Sequence, residues 1–216
     1  ASIRLDLEAL ETMDLVRRFH GGARLVRRSA FESRSGTERQ AKKRIARRAL
    51  EYVEPRDTLF LDSGTTVLML ALELAAFDDL TVITNSLPVM NTLAGVPGTN
   101  LIGIGGLLRQ SELSFVGHIA EQAIAELRAD KVILGVHAFS LQHGLTSDYL
   151  PETLTDRAIL KIGRQVILVA DHTKFESVSP AFVAPVSSIH HLVTDSQTPP
   201  EILAALREMG IAVTIA

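Results

Sequence analysis

Cysteine is absent from the 216 residues, which removes disulfides, thiolate nucleophiles and Cys-based zinc sites together. Tryptophan is absent too, and aromatic residues make up only 5%, too few for a base-stacking surface that follows single-stranded nucleic acid. Long apolar runs are also lacking. The longest, Val67 to Leu72, falls far short of the roughly 20 residues of a membrane span. No basic stretch followed by an apolar run opens the chain, so no signal peptide is visible and a cytoplasmic location is expected. What remains is 46% hydrophobic and 22% charged, the balance of an ordinary globular domain with room for a small appendage.

The net charge of −3 conceals an uneven distribution. Residues 1–50 hold 13 Lys/Arg against 6 Asp/Glu, a net of +7, and the remaining residues carry a net of −10. A basic arm on an acidic body points to a polyanionic partner for the arm alone. A solvated basic helix over Arg39 to Arg48 would give part of the same pattern.

Two rhythms divide the chain. In the first fifty residues, Ile3, Leu7 and Leu10 recur at helical spacing, which predicts a short helix over 2–13. Two alternating runs, Leu15 to His20 and Ala23 to Arg27, flank Gly21-Gly22 and predict a hairpin. Residues 29–38 read as a linker, and 38–51 as a helix that is basic on one side with Ile45 and Ala49 on the other. From residue 57 onward, apolar runs at 58–62, 80–84, 100–104, 131–136, 165–170, 189–194 and 211–215 alternate with helical patterns at 65–76, 86–94, 116–128, 152–163 and 199–209. Strands apolar on both faces that alternate with helices indicate an α/β fold, an open, mostly parallel sheet with flanking helices. Ligands of such sheets sit beyond the carboxyl ends of the strands.

The strand ends are where chemistry is expected. The first runs from Leu61 into Asp62, Ser63, Gly64, Thr65 and Thr66 and directly into a helix, offering hydroxyls, free N–H groups and a positive dipole end to a phosphate. The same loop would also serve as a plain helix start. No Gly-Lys-Ser/Thr follows, so no nucleoside triphosphate is implied. Asn85 and Ser86 end the next strand. Gly105 and Gly106 follow the third, with Arg109 three residues on as a candidate fork for a phosphate or carboxylate. His137 ends the fourth, followed by Gly144 and Thr146, and Lys174 lies just beyond the fifth. Together these small, hydroxyl and cationic groups suggest a pocket for a small anionic polyol. His137, His143 and His172 lack the i,i+4 spacing of a zinc site, so neither a metal nor a cofactor is expected, and no Gly-x-Ser-x-Gly elbow supports a serine hydrolase.

In order and spacing these motifs resemble the DeoR family of bacterial sugar-metabolism regulators. Ile3 to Leu7, followed by Leu15 to Ala23, resembles that family's recognition helix and wing. Asp62 to Thr66, Thr84-Asn85-Ser86, Gly105-Gly106-x-x-Arg109, His143 to Thr146 and Asp171-x-x-Lys174-Phe175 resemble its effector-domain motifs. The resemblance implies a partial winged helix-turn-helix over 1–28, a linker and connecting helix over 29–51, and an effector domain over 52–216 that is similar in fold to ribose-5-phosphate isomerase and glucosamine-phosphate deaminase. The chain opens at Ala1-Ser2 inside what resembles the recognition helix, so the family's first helices are expected to be absent. Two departures stand out. Leu5 occupies a place where the family usually has an arginine, and His137 stands where it typically has an acidic residue.

The resemblance implies a transcriptional repressor. Ser2, Arg4, Arg17, Arg18 and His20 would face an operator in the full-length protein, and the strand-end residues would hold a phosphorylated sugar or related effector. A homo-oligomer, dimer or tetramer, is expected, because helix-turn-helix proteins pair across two half-sites. The alternative is a sugar-phosphate isomerase or deaminase, with a base drawn from Asp62, Asp148, Glu152, Asp171 or His137. Asp148 and Glu152 could meet sugar hydroxyls or start the helix at 152, and helix starts favour acidic residues.

Overall fold

The computed structural model describes residues 3–13, 16–25, 29–74 and 76–216. In chain order the elements are α1 (Ile3–Thr12), β1 (Val16–Phe19), β2 (Gly22–Leu25), α2 (Ala30–Ser35), α3 (Arg39–Ala49), β3 (Thr58–Leu61), α4 (Thr65–Leu74), β4 (Leu80–Thr84), α5 (Leu87–Leu93) and β5 (Thr99–Gly103). There follow β6 (Leu107–Arg109), β7 (Ser114–Val116), α6 (His118–Ala125), β8 (Ala129–Leu134), β9 (Ala138–Ser140), β10 (Gly144–Ser147), α7 (Thr153–Ile162), β11 (Gly163–Val169), β12 (Ala181–Ala184), β13 (His191–Thr194), α8 (Pro200–Glu208) and β14 (Ala212–Ile215).

Seven strands form one sheet in the order β14-β13-β11-β8-β3-β4-β5, and every neighbouring pair is parallel. The period of two along each strand sends side chains alternately to two cores. Phe60, Val132 and Leu168 pack with Ile124, Ile159 and Leu206 on one face. Leu59, Leu61, Ile133 and Ile167 pack with Ile45, Leu70 and Leu93 on the other. From β3 the chain steps outward through β4 to β5, then returns to add β8 on β3's other side. That reversal leaves a crevice at the carboxyl ends of β3 and β8, where open α/β sheets bind ligands.

A hairpin forms, with Val16 opposite Leu25 and Phe19 opposite Gly22, so its turn is His20-Gly21 rather than Gly21-Gly22; Leu15, Val26 and Arg27 lie outside the described residues. Arg18 ties it to α1. Its Nη1 donates to Glu8 at 2.9 Å, and its Nε and backbone N–H donate to Glu11 at 2.6 and 2.9 Å.

Residues 29–38 are not the linker their composition suggests. Ser29 accepts from the Glu32 backbone N–H while Glu32 accepts from that of Ser29, a capping box that starts α2 and is worth about 1 kcal/mol. Phe31 is buried, and its N–H donates to the Ser111 carbonyl. This helix belongs to the body. Two smaller sheets, β6-β7 and β12-β10-β9, also form where the sequence showed no strand period.

Candidate functional site

The crevice is a cleft of about 780 Å³, counted out to open solvent. The loop after β3 forms one wall. Gly64 takes φ +125°, which a side-chain-bearing residue rarely adopts, although a Cβ there would meet nothing within 4 Å. Backbone conformation rather than crowding therefore calls for glycine. The Leu68 N–H makes an i→i−4 bond back to the Gly64 carbonyl, so the N–H groups of Thr65, Thr66 and Val67 have no helical partner. Those three residues and Ser63 line the cleft.

Eight residues named from the sequence come together here: Asp62, Ser63, Gly64, Thr65, Thr66, His137, Thr146 and Lys174. Six do not line the cleft, and all but Gly105 have another task. Ser86 caps α5 by accepting from the Val89 N–H, and buried Asn85 donates through Nδ2 to the Phe115 carbonyl. Gly106 packs against Val116 and Ala120, and its neighbour Gly105 is exposed. Gly144 takes φ +70°, and a Cβ there would fall 2.3 Å from the Ala184 carbonyl oxygen, so it serves the β10-β12 pairing.

Arg109 forks onto carboxylates, but onto those of the chain itself, and it lies outside the cleft lining. Its guanidinium donates to Glu152, to Asp148 at 3.1 Å and to Ser111 at 3.1 Å, and it lies 4.4 Å over the Tyr149 ring. The two acids do more than start a helix, although Glu152 is the N-cap residue of α7. Asp148 holds Arg109, while Glu152 is buried, lines the cleft and accepts from Ser114 Oγ at 3.1 Å, making no side-chain cap bond to α7. Of the residues expected to face DNA, Arg4 and Arg17 are exposed, Arg18 is engaged with Glu8 and Glu11, and Ser2 lies outside the described residues.

Four charged lining residues escaped the sequence reading: Arg34, Lys42, Glu112 and Asp156. Arg34 Nη1 donates to Glu112 at 3.0 Å, with a second bond to the same carboxylate, across 78 residues of chain. Lys42 occupies the stripe of α3 that also carries Ile45, Ala46 and Ala49, and a charge on an apolar stripe was the one signal available for it.

Three carboxyl groups on the cleft, Asp62, Glu152 and Asp156, are pushed toward their neutral forms. Burial raises Asp62 to about 8, helped by the nearby charges of Glu152 and Glu112 and opposed by the Ser63 and Gly135 N–H groups. Burial, then Asp62 and Glu152, holds Asp156 well above the ordinary carboxyl range. Glu152 is raised by burial against the pull of Arg109. His137 is lowered by burial, with the Asp148 carboxylate 3.8 Å from Nδ1 working the other way. The wall so formed holds O–H donors beside carboxylate acceptors, which suits the hydroxyls of a polyol. Among the described residues, no group of three or more His, Asp or Glu is placed to hold a metal ion. No helix there is long and apolar enough to cross a membrane.

Comparison with known proteins gives this arrangement a context. The family model of the DeoR C terminal sensor domain matches residues 37–196. The glycerol-3-phosphate regulon repressor of Escherichia coli (strain K12) is 33% identical over 213 residues, covering 97% of this chain and 84% of that protein. The Pyrococcus horikoshii OT3 translation initiation factor eIF-2B superposes with a TM-score of 0.50 at 13% identity, covering 72% of this chain and 62% of that one, a likeness of fold alone. Ribose 5-phosphate isomerase A of Methanocaldococcus jannaschii covers 64% of this chain and 55% of its own at a TM-score of 0.47 and 13% identity. A sensor-domain match running from just before α3 to just beyond β13, with a repressor one-third identical along nearly the whole chain, settles the family: this protein belongs to the DeoR family of transcriptional regulators.

Proposed function

We propose that the chain is a repressor whose basic N-terminal unit engages DNA and whose α/β body senses a phosphorylated sugar or related metabolite. The observation that carries the reading is the cleft at the switch in strand order. There the free N–H groups of α4, the hydroxyls of Ser63, Thr65 and Thr66, and the Lys174 ammonium share one cleft with the raised carboxyl groups of Asp62, Glu152 and Asp156. Helix dipole and cation favour a phosphate, and the acid wall suits hydroxyls. The E. coli relative is named for the regulon of a phosphorylated polyol, which agrees with that chemistry.

In this reading Arg4, Arg17 and His20 meet the duplex. Arginine contacts to phosphates position the protein, while α1 supplies base contacts. The chain acts as a homo-oligomer in the cytoplasm, one copy per half-site. The effector releases DNA to the extent that it prefers the subunit arrangement that does not bind DNA.

A second reading draws on Asp62, whose raised pKa is the kind a general acid or base uses. Phosphorus NMR of the protein with a panel of tetrose, pentose and hexose phosphates separates the two. Line broadening without new resonances is the expected result. Growth of a product resonance would establish an isomerase or deaminase instead, and sharp, unshifted lines across the panel would sink the phosphosugar sensor.

A further inference from the structure

Among the described residues, two lysines are buried, and they are held in opposite ways. Lys131, 8% exposed, pairs with Asp57 at 2.7 Å and Glu54 at 3.3 Å. Lys42, 3% exposed, has only neutral partners. Its Nζ donates to the Arg34 carbonyl at 2.9 Å and the Thr37 carbonyl at 2.6 Å. An ammonium carries three donors, so one N–H of Lys42 remains, and the side chain lines the cleft. Burial works first against its charged form; of the charges around it, Asp171 and Glu38 favour that form, and Lys174 and Arg34 oppose it. A buried cation with no direct ion pair is expensive for a fold to keep. Beside Lys174 and Arg34 on one cleft, that cost marks a place where a negative charge is missing.

The position of Lys42 and Arg34 in the chain gives the site a second consequence. Arg34 is on α2 and Lys42 on α3, the two helices between the hairpin and the sheet. Lys42 grips the carbonyls at the end of α2, and Arg34 holds that helix to the body through Glu112. β2 ends at Leu25, so only residues 26–29 separate the hairpin from α2.

We propose that Lys42 and Arg34 join Lys174 as the ligands of a dianionic phosphate group, and that phosphate draws Arg34 away from Glu112. Ligand occupancy and the seating of α2 are then one equilibrium, and α2 is the element through which the cleft acts on the DNA-engaging unit. The inference rests on the reading of the cleft as an effector pocket and names the regulation of that pocket.

The test uses this chain with inorganic phosphate and the sugar-phosphate panel as probes, followed by calorimetry and by hydrogen exchange at the amides of residues 30–35. Lys42→Met is expected to weaken phosphate binding at least tenfold while melting, in phosphate-free buffer, at or above the wild-type temperature. A residue with a purely structural role would melt lower. Glu112→Gln frees Arg34 and is expected to bind phosphate several-fold more tightly. Phosphate is expected to change exchange at 30–35 in the wild type and not in Lys42→Met.

If the wild type binds and Lys42→Met binds equally well, the subsite is overturned while the effector pocket stands. Binding that leaves exchange at 30–35 untouched would overturn the coupling. A wild type that binds nothing in the panel would overturn the pocket and the subsite together. Should Lys42→Met not fold, Glu112→Gln decides the matter, and unchanged affinity there would count against the displacement of Arg34.

Discussion

The N-terminal unit and the α/β body hold themselves together by different physics. No residue of α1 is buried, Val16 is the one buried side chain described in the hairpin, and Ile3, Leu5 and Phe19 stand in solvent. Charge joins helix to hairpin there, through Arg18 and the carboxylates of Glu8 and Glu11. In the body, Leu59, Phe60 and Leu61 are each completely buried, and helices cover both faces of the sheet. Apolar burial stabilises by about 25 cal/mol per Å² whatever the salt, whereas exposed ion pairs contribute little and are screened. The body is therefore self-sufficient, and the N-terminal unit is the part whose conformation solvent, salt and partners can change.

One substitution in each region puts the contrast to its severest test. Phe60→Ala removes a fully buried ring between two helices' side chains and is expected to cost about 3–5 kcal/mol in urea unfolding. Phe19→Ala removes a ring that is 60% exposed and is expected to stay within about 0.5 kcal/mol. Comparable losses would mean that Phe19 packs in solution against something that buries it, and the two regions would no longer differ in kind.

An effect of opposite sign in the two regions is expected from pH. Asp62 keeps its proton to about pH 8 in the folded state, whereas an ordinary aspartate loses it near 3.8. Between those values the folded state holds the extra proton, so this group's stabilising contribution is lost as pH rises, at up to about 1.4 kcal/mol per pH unit. Asp62→Asn should match the wild type near pH 4 and melt several degrees above it at pH 8. Glu11 works the other way. Hydrogen bonds from the Arg18 backbone and side chain lower its pKa, so its contribution is lost as pH falls. Thermal melts of both proteins from pH 4 to 8 check the point, and a gap that fails to open toward pH 8 would mean that Asp62 ionises normally.

The body was legible in the sequence because parallel strands buried on both faces must read as apolar runs, and those from 58–62 to 211–215 all became strands of one sheet. The strands of β6-β7 and β12-β10-β9 were not, since three or four residues carry no period. The loop Asp62 to Thr66 could be found because its chemistry is local to one turn. Arg109 misled for the complementary reason. Its partners, Asp148 and Glu152, lie about forty residues away, and nothing local shows that they are already satisfied. Arg34 and Glu112 were hidden in the same way, by 78 residues of chain, whereas α2 was announced by Ser29-x-x-Glu32 and was masked only by the polar composition around it.

The finest division falls within the hairpin itself, between two adjacent arginines. Arg17 is exposed and makes no ion pair among the described residues, while Arg18 is spent on Glu8 and Glu11. Each phosphate neutralised by a basic side chain steepens the logarithmic salt dependence of duplex binding by about 0.9. Measured by fluorescence anisotropy on a random-sequence duplex over a salt series, Arg17→Ala is expected to lower that slope by about 1. Arg18→Ala is expected to lower it clearly less, because two carboxylates already balance its charge and would be left behind. Equal slopes for the two variants would show that Arg18 leaves Glu8 and Glu11 for DNA, making the contact between α1 and the hairpin a feature of the free state only. If neither variant moved the slope, neither arginine would touch phosphate, and the positive charge of the first fifty residues would have to act through Arg4, Arg24 or α3. The basic side of α3 would then be the surface to substitute next, with Arg44→Ala and Arg48→Ala read against the same salt series.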